Sequence, residues 1–99
     1  MKIKMQRSSG NVFADMGFPK EEAVHLLIRS DLMIKIEALI EEQGLTQKQA
    51  AKKLGVTQPR VSDLMRRRIE LFSIDALIKM LARFDMTVTV KTHRRARVA

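Results

Sequence analysis

Side chains that can hydrogen-bond to bases or phosphates follow a glycine in the stretch LGVTQPRVSDLM, residues 54–65. Thr57 suits the N-cap of a helix, and Pro59 is tolerated in a first turn because its missing N–H would have no partner there. Gln58 can pair with adenine and Arg60 with guanine or a phosphate, whereas Pro59 offers only an apolar contact. The stretch is therefore either an ordinary loop–helix junction or a helix whose first turn enters a partner.

The remaining reactive residue types do not form a catalytic or metal-binding set. Cysteine is absent, which excludes disulfides and thiolate metal sites. His25 and His93 each stand alone, with no carboxylate pair, nucleophile–base set or glycine-rich phosphate loop to accompany them. We therefore expect no enzyme activity, no metal and no cofactor, and we interpret the seven methionines as core filler.

The charge of the chain is unevenly distributed. The 99 residues have a net charge of +8 and are 45% hydrophobic, which suits one domain with a modest core. Residues 46–68 hold seven basic residues against one acidic residue, whereas residues 15–45 hold seven acidic residues against three basic ones. This polarity predicts a polyanionic partner on one side. Without an 18-residue apolar run or a signal-type segment, we expect a cytoplasmic protein that does not enter a membrane.

Four helices are expected to position these residues. The first runs from about residue 20 to Gln43 and stops at Gly44, the second has Thr46 as its N-cap with Gln49 completing a capping box, and the third opens at Thr57. A fourth helix begins at Ser73, and its inner face is predicted to comprise Leu77, Ile78, Leu81 and Phe84. The first half of the long helix carries more apolar residues than one stripe can use. That surplus predicts a second buried surface, covered by the N-terminal arm, a second subunit or a partner protein.

After Asp85 the pattern changes to alternation, which predicts a strand over residues 86–92. A lone strand cannot satisfy its backbone, and the N-terminal segment KIKMQ is the only other candidate strand. Pairing with the same strand of a second chain is the simpler solution. We therefore expect a homodimer that buries Met86, Val88 and Val90.

The segment TQKQAAKKLGVTQPRVSDLM resembles the helix-turn-helix of the XRE family, which includes the lambda-type repressors. The resemblance implies a mainly α lambda-repressor-like bundle of four to five helices with one C-terminal strand. The implied domains are an N-terminal arm over residues 1–18, a helical domain over 19–85 with the helix-turn-helix at 46–66, a dimerisation strand at 86–92 and a basic tail at 93–99. It also implies a set of DNA-contacting residues: Gln47, Thr57, Gln58, Pro59, Arg60, Ser62, Asp63, Arg66, Arg67 and Arg68.

Over about residues 8–90 the order of segments is similar to the HigA-type antitoxin branch of that family, although relatives often carry a glycine near Arg67. The resemblance implies a dimeric repressor of a palindromic operator in double-stranded DNA that also binds a RelE/ParE-like toxin. The proposed toxin contacts are Phe13, Phe18, Glu21 and Glu22, and the alternative is that the arm simply folds over its own helix. A stand-alone XRE regulator without a toxin is the second interpretation. An RNA-binding or protein-interaction module is a third, weakened by the absence of Tyr and Trp.

Overall fold

The computed structural model describes residues 12–92 and 94, together with the backbone of residues 2–5. Over this part of the chain the elements are β1 (Lys2–Met5), α1 (Val12–Asp15), α2 (Lys20–Glu42), α3 (Gln47–Leu54), α4 (Gln58–Met65), a 3₁₀ turn (Ile69–Leu71), α5 (Ile74–Ala82) and β2 (Thr87–Val90). The predicted mainly helical class is confirmed. Of the predicted basic tail, only Arg94 lies within the described residues, and the prediction for His93 lies outside them.

The four longer helices end in the same way, with a left-handed residue followed by a backbone N–H that reaches back five residues to a carbonyl oxygen. The bonds run from Leu45 to Ile40, Val56 to Ala51, Arg68 to Asp63 and Met86 to Leu81, at 3.0–3.1 Å. The left-handed residues are Gly44, Gly55, Arg67 and Asp85. This motif satisfies carbonyl oxygens that the last helical turn leaves without partners. It also turns the chain sharply, so that short connections suffice between the helices.

The hydrophobic core lies where α2, α3, α4 and α5 meet. Leu32, Ile36, Leu39 and Ile40 form a buried stripe on α2, and Leu54, Val61 and Leu64 join it from the helix-turn-helix. Leu77 and Leu81 of α5, and Phe84 two residues after its end, are buried as predicted. The prediction for Ile78 was wrong: this side chain is 36% exposed, and Met80, at 4%, occupies the core instead. At about 100° per residue, Met80 and Ile78 lie equally far from the midpoint of Leu77 and Leu81, on opposite sides, so tertiary packing and not helical periodicity decides which of them is buried.

The C-terminal strand has a partner inside its own chain. β2 pairs in parallel with β1, with Lys2 opposite Thr87 and Met5 opposite Val90. Of the two partners that the sequence offered for β2, the same strand of a second chain was favoured over KIKMQ, whereas in the structure β1, which lies within KIKMQ, occupies one of the two edges of β2. Met86 is buried in the core, Val88 packs partly against it and Val90 is 67% exposed.

The described residues 12–18 of the N-terminal arm pack against the first half of α2. The rings of Phe13 and Phe18 meet edge to face with centroids 6.1 Å apart, and α1 packs against α2, where Ala23 and Leu26 are buried. This contact accounts for part of the apolar surplus on α2. The side chains of Val12 and Met16 nevertheless remain mostly exposed, and that of Ile34 is partly exposed. No helix in the described part of the chain is both long and apolar enough to cross a membrane.

Candidate nucleic-acid interface

The first helix of the candidate interface, α3, has both of its ends fixed by local chemistry. The Gln49 N–H donates to Thr46 Oγ1 at 3.1 Å, and the Thr46 N–H donates to Gln49 Oε1 at 2.9 Å, which completes the predicted capping box. Gly55 ends the helix in the left-handed conformation with φ 70°. Ala51 is buried at the junction between α3 and α4, where its small side chain permits close packing.

The second helix, α4, starts as predicted at Thr57, whose Oγ1 accepts from the Arg60 N–H at 3.4 Å. Val61 and Leu64 are buried and anchor one face. Because successive residues lie about 100° apart around a helix, the opposite face carries the outward-directed positions. These are Pro59, Ser62, Asp63 and Arg66, and Gln58 lies at their border in the first turn. The interior packing therefore leaves a continuous outer face of α4 available to a partner.

The first turn of α3 presents a second group of predicted contacts. Gln47 is exposed at the first position of the helix, where backbone N–H groups have no intrahelical partner and favour an anion. Sequence reasoning did not single out its neighbours Lys48 and Lys52, which are also exposed on the outer side of α3. The cluster of positive charge over residues 46–68 was the sequence feature that could have indicated these two lysines.

Arg60 is not directed freely outward. Its guanidinium carbon lies 4.1 Å from the centroid of the Phe72 ring, and Nη1 donates to the carbonyl oxygen of Leu71 at 3.0 Å. On α4 it sits beside Leu64, at the edge of the buried face. The structure therefore ties this predicted base-contacting residue to the segment that follows the helix.

The three arginines at the end of α4 have different environments. Arg67 forms a two-point ion pair with Glu37 of α2, at 3.2 Å from Nε to Oε2 and 3.4 Å from Nη2 to Oε1. Arg68 pairs with Glu70 at 2.8 Å and holds the pKa of that carboxyl below its ordinary value. Arg66 is exposed, and the described part of the chain gives it no ion pair. Arg66 is consequently the arginine of this trio most available to a phosphate.

The predicted site residues are brought together in part. Gln47, Thr57, Gln58, Pro59 and Arg66 are exposed on the paired helices, and Ser62 and Asp63 are half-exposed. By contrast, Arg60, Arg67 and Arg68 are engaged by the protein itself. Within residues 12–92 and 94, His, Asp and Glu side chains form no group of three that could hold a metal ion. The site thus offers amides, hydroxyls, lysines and one unpaired arginine.

Comparison with known proteins agrees with this geometry. A family model described as a helix-turn-helix domain matches residues 12–93. A solved structure named as a candidate XRE family transcriptional regulator is similar to this chain at 31% sequence identity and a TM-score of 0.70, over 82% of this chain and 91% of that chain. No curated protein matches the chain. The family match and the structural similarity together show that this chain belongs to the XRE family of helix-turn-helix transcriptional regulators.

Proposed function

We propose that this protein is a sequence-specific repressor that reads the major groove of double-stranded DNA with the outer face of α4. The observation that carries the proposal is the continuous exposed face of that helix, which lies next to an α3 first turn whose Lys48 forms no ion pair with any described residue. In this arrangement Gln58 pairs with a base edge, while Gln47 and Arg66 bind phosphates. Phosphate contacts supply much of the affinity and base contacts supply the sequence preference.

The test begins with duplexes selected from a random pool, followed by fluorescence anisotropy on the selected and a shuffled sequence. Gln58→Ala should relax the preference at one base pair and cost about 1–3 kcal/mol on the selected duplex. Arg66→Gln should weaken both duplexes and reduce the salt slope by about 0.9. Lys20→Gln removes a charge at the far end of α2, which is about 34 Å long, and serves as the control. Equal binding to all duplexes by the wild-type chain refutes sequence-specific recognition.

The repressor is proposed to act as a homodimer on a palindromic operator. Among the described residues β1 covers one edge of β2, and a two-stranded sheet of four-residue strands is marginal by itself. A second copy added antiparallel at the other edge of β2 would extend the sheet, with the exposed Val90 at the junction. Two recognition helices would then enter successive major grooves, roughly 34–36 Å apart.

A charge at the strand tests the dimer without removing Met86 from the core. Val90→Glu should raise the dimer dissociation constant at least about tenfold, because two carboxylates would be buried close together. Ala38→Glu adds the same charge at an exposed position of α2, outside residues 86–92, and should leave the dimer intact. Sedimentation velocity over a concentration series measures both. An unchanged dissociation constant for Val90→Glu would exclude this edge as the interface.

The finer proposal is that the chain is a HigA-like antitoxin that binds a basic RelE/ParE-like toxin through α1 and the first half of α2. It is supported by apolar side chains left exposed there, Val12, Met16 and Phe18, beside the exposed carboxylates of Glu21 and Glu22. Exposed apolar area adjoining one sign of charge is suited to a partner of opposite charge. If the protein is instead a stand-alone regulator, the arm has no role beyond covering α2.

Charge reversal at the two ends of α2 separates these interpretations. The double variant Glu21→Lys/Glu22→Lys should weaken binding of the basic chain encoded by the adjacent reading frame, mainly through a slower association rate. Glu41→Lys/Glu42→Lys makes the same change at the opposite end of the helix and should have little effect, with circular dichroism confirming that both variants fold. Equal weakening by both pairs would count against this surface. The absence of such a neighbouring chain would favour the stand-alone regulator.

A further inference from the structure

Arg60 joins three parts of the molecule. The residue belongs to the first turn of α4, its guanidinium covers the ring of Phe72, and its Nη1 donates to the carbonyl oxygen of Leu71. Phe72 is only 1% exposed, although it lies in the connection between the 3₁₀ turn and α5. Part of the cover over that ring is therefore the arginine side chain itself.

The same connection is held from its other side by α2. Arg29 Nη1 donates to the carbonyl oxygens of Ile69 at 3.2 Å and Phe72 at 3.5 Å. The segment 69–72 thus has three of its carbonyl oxygens bound by two arginines from two different helices. The bonds from Arg29 are partly buried, and leaving such an oxygen without a partner costs free energy, whereas the bond from Arg60 is exposed. The two arginines fix the connection relative to both α2 and α4.

These contacts conflict with the role that the sequence suggests for Arg60. For the guanidinium to reach a base, it would have to leave the face of Phe72 and release the Leu71 carbonyl oxygen. That movement would uncover an aromatic ring and break a hydrogen bond before any DNA contact formed. Pro59, Ser62 and Arg66 already lie on the outward face and require no such rearrangement.

We propose that Arg60 is a positioning residue of the recognition helix, and that it sets the tilt of α4 by remaining stacked on Phe72 when the protein binds DNA. The inference rests on the proposed DNA-binding function. Arg60 then affects all the base contacts of α4 together, because it orients the outer face as a whole. It contributes neither a base preference nor a phosphate contact.

Binding experiments on the full chain distinguish this role from direct contact. Arg60→Met keeps the aliphatic stem and should weaken the selected duplex more than the shuffled one, with the preference reduced at every position that α4 reads and the salt slope unchanged. A phosphate contact would instead lower the slope by about 0.9, as expected for Arg66→Gln, and a base contact would relax the preference at one position. Phe72→Leu should reproduce the effect, and the double variant should lose no more than the more damaging single change.

Nuclear magnetic resonance on the wild-type chain gives a readout that needs no variant. The Arg60 side-chain protons over Phe72 should show a ring-current shift in the free protein, and this shift should persist when the selected duplex is added. Its loss on binding, or a preference relaxed at a single base pair in Arg60→Met, overturns the inference while leaving DNA binding established. Failure of the wild-type chain to bind any duplex overturns the proposed function, and the inference with it.

Discussion

Replacing Arg67 by glycine should leave the protein more stable than replacing it by alanine. Arg67 has φ 56°, a left-handed conformation that costs a residue with a Cβ roughly 1–2 kcal/mol and costs glycine almost nothing. Both variants lose the ion pair with Glu37, in which Arg67 is 56% exposed, so that this loss is at most about 1 kcal/mol. Substitution by glycine relieves the backbone strain, whereas substitution by alanine does not. The expected difference is therefore about 1 kcal/mol in favour of glycine, and Arg67→Gly should lie close to the wild type.

Urea and thermal unfolding followed by circular dichroism measure this difference. For a chain of this size, 1 kcal/mol corresponds to a shift in Tm of about 4–8 °C. The matched control is Lys79, an exposed residue inside α5, where alanine should be the more stable substitution by about 1 kcal/mol. The two sites should thus rank glycine and alanine in opposite order. If alanine is as stable as glycine at position 67, the left-handed ending of α4 is not present in solution.

Three further changes test other local features. Gly55→Ala and Gly44→Ala should each destabilise the fold by about 1 kcal/mol or more, because the two glycines have left-handed φ values of 70° and 62°. The Cβ added at residue 55 would lie 3.0 Å from Arg83 Nη2, the end of an exposed flexible side chain that can move away, so chemical denaturation should show similar losses for the two variants. Thr46→Ala removes the capping box and should cost about 1 kcal/mol in the same assay. Burial raises the pKa of Asp31, so the charged form of this side chain opposes folding when the pH is above the ordinary carboxyl range. Asp31→Asn should therefore stabilise the protein at pH 7, and this stabilisation should disappear as the pH falls to 3. A stabilisation that does not depend on pH would contradict this cause.

The helix ends show which parts of the fold can be predicted from the sequence. Gly44 was expected to stop α2, because glycine readily adopts the left-handed conformation, and Gly55 ends α3 in the same way. The same backbone motif recurs at Asp85, a residue type that adopts this conformation less readily than glycine, and at Arg67, whose residue type gives no such signal. At Arg67 the conformation is supported by tertiary context, the ion pair with Glu37, thirty residues away in the chain. A helix end can be predicted from the sequence only where the residue type itself favours the left-handed conformation.

Predictions that depended on long-range pairing were less successful. The alternating pattern after Asp85 correctly predicts β2 but cannot state which strand lies beside it, and the structure selects β1. Likewise, residue type alone assigned Arg60 to a base or phosphate, because an arginine in the first turn of a recognition helix suits both. Its stacking on Phe72 depends on how the chain returns after α4, which no local spacing reveals.

The most direct test of the central claim is a titration of the ¹⁵N-labelled full-length protein with its selected duplex. If α3 and α4 form the DNA surface, the largest chemical-shift changes should fall on the first turn of α3 and the outer face of α4, including Gln47, Gln58 and Arg66. The amides of α1 and of the first half of α2 should change little. Changes concentrated on α1 and α2, or no saturable change on α4, would contradict the assignment of this helix as the recognition element.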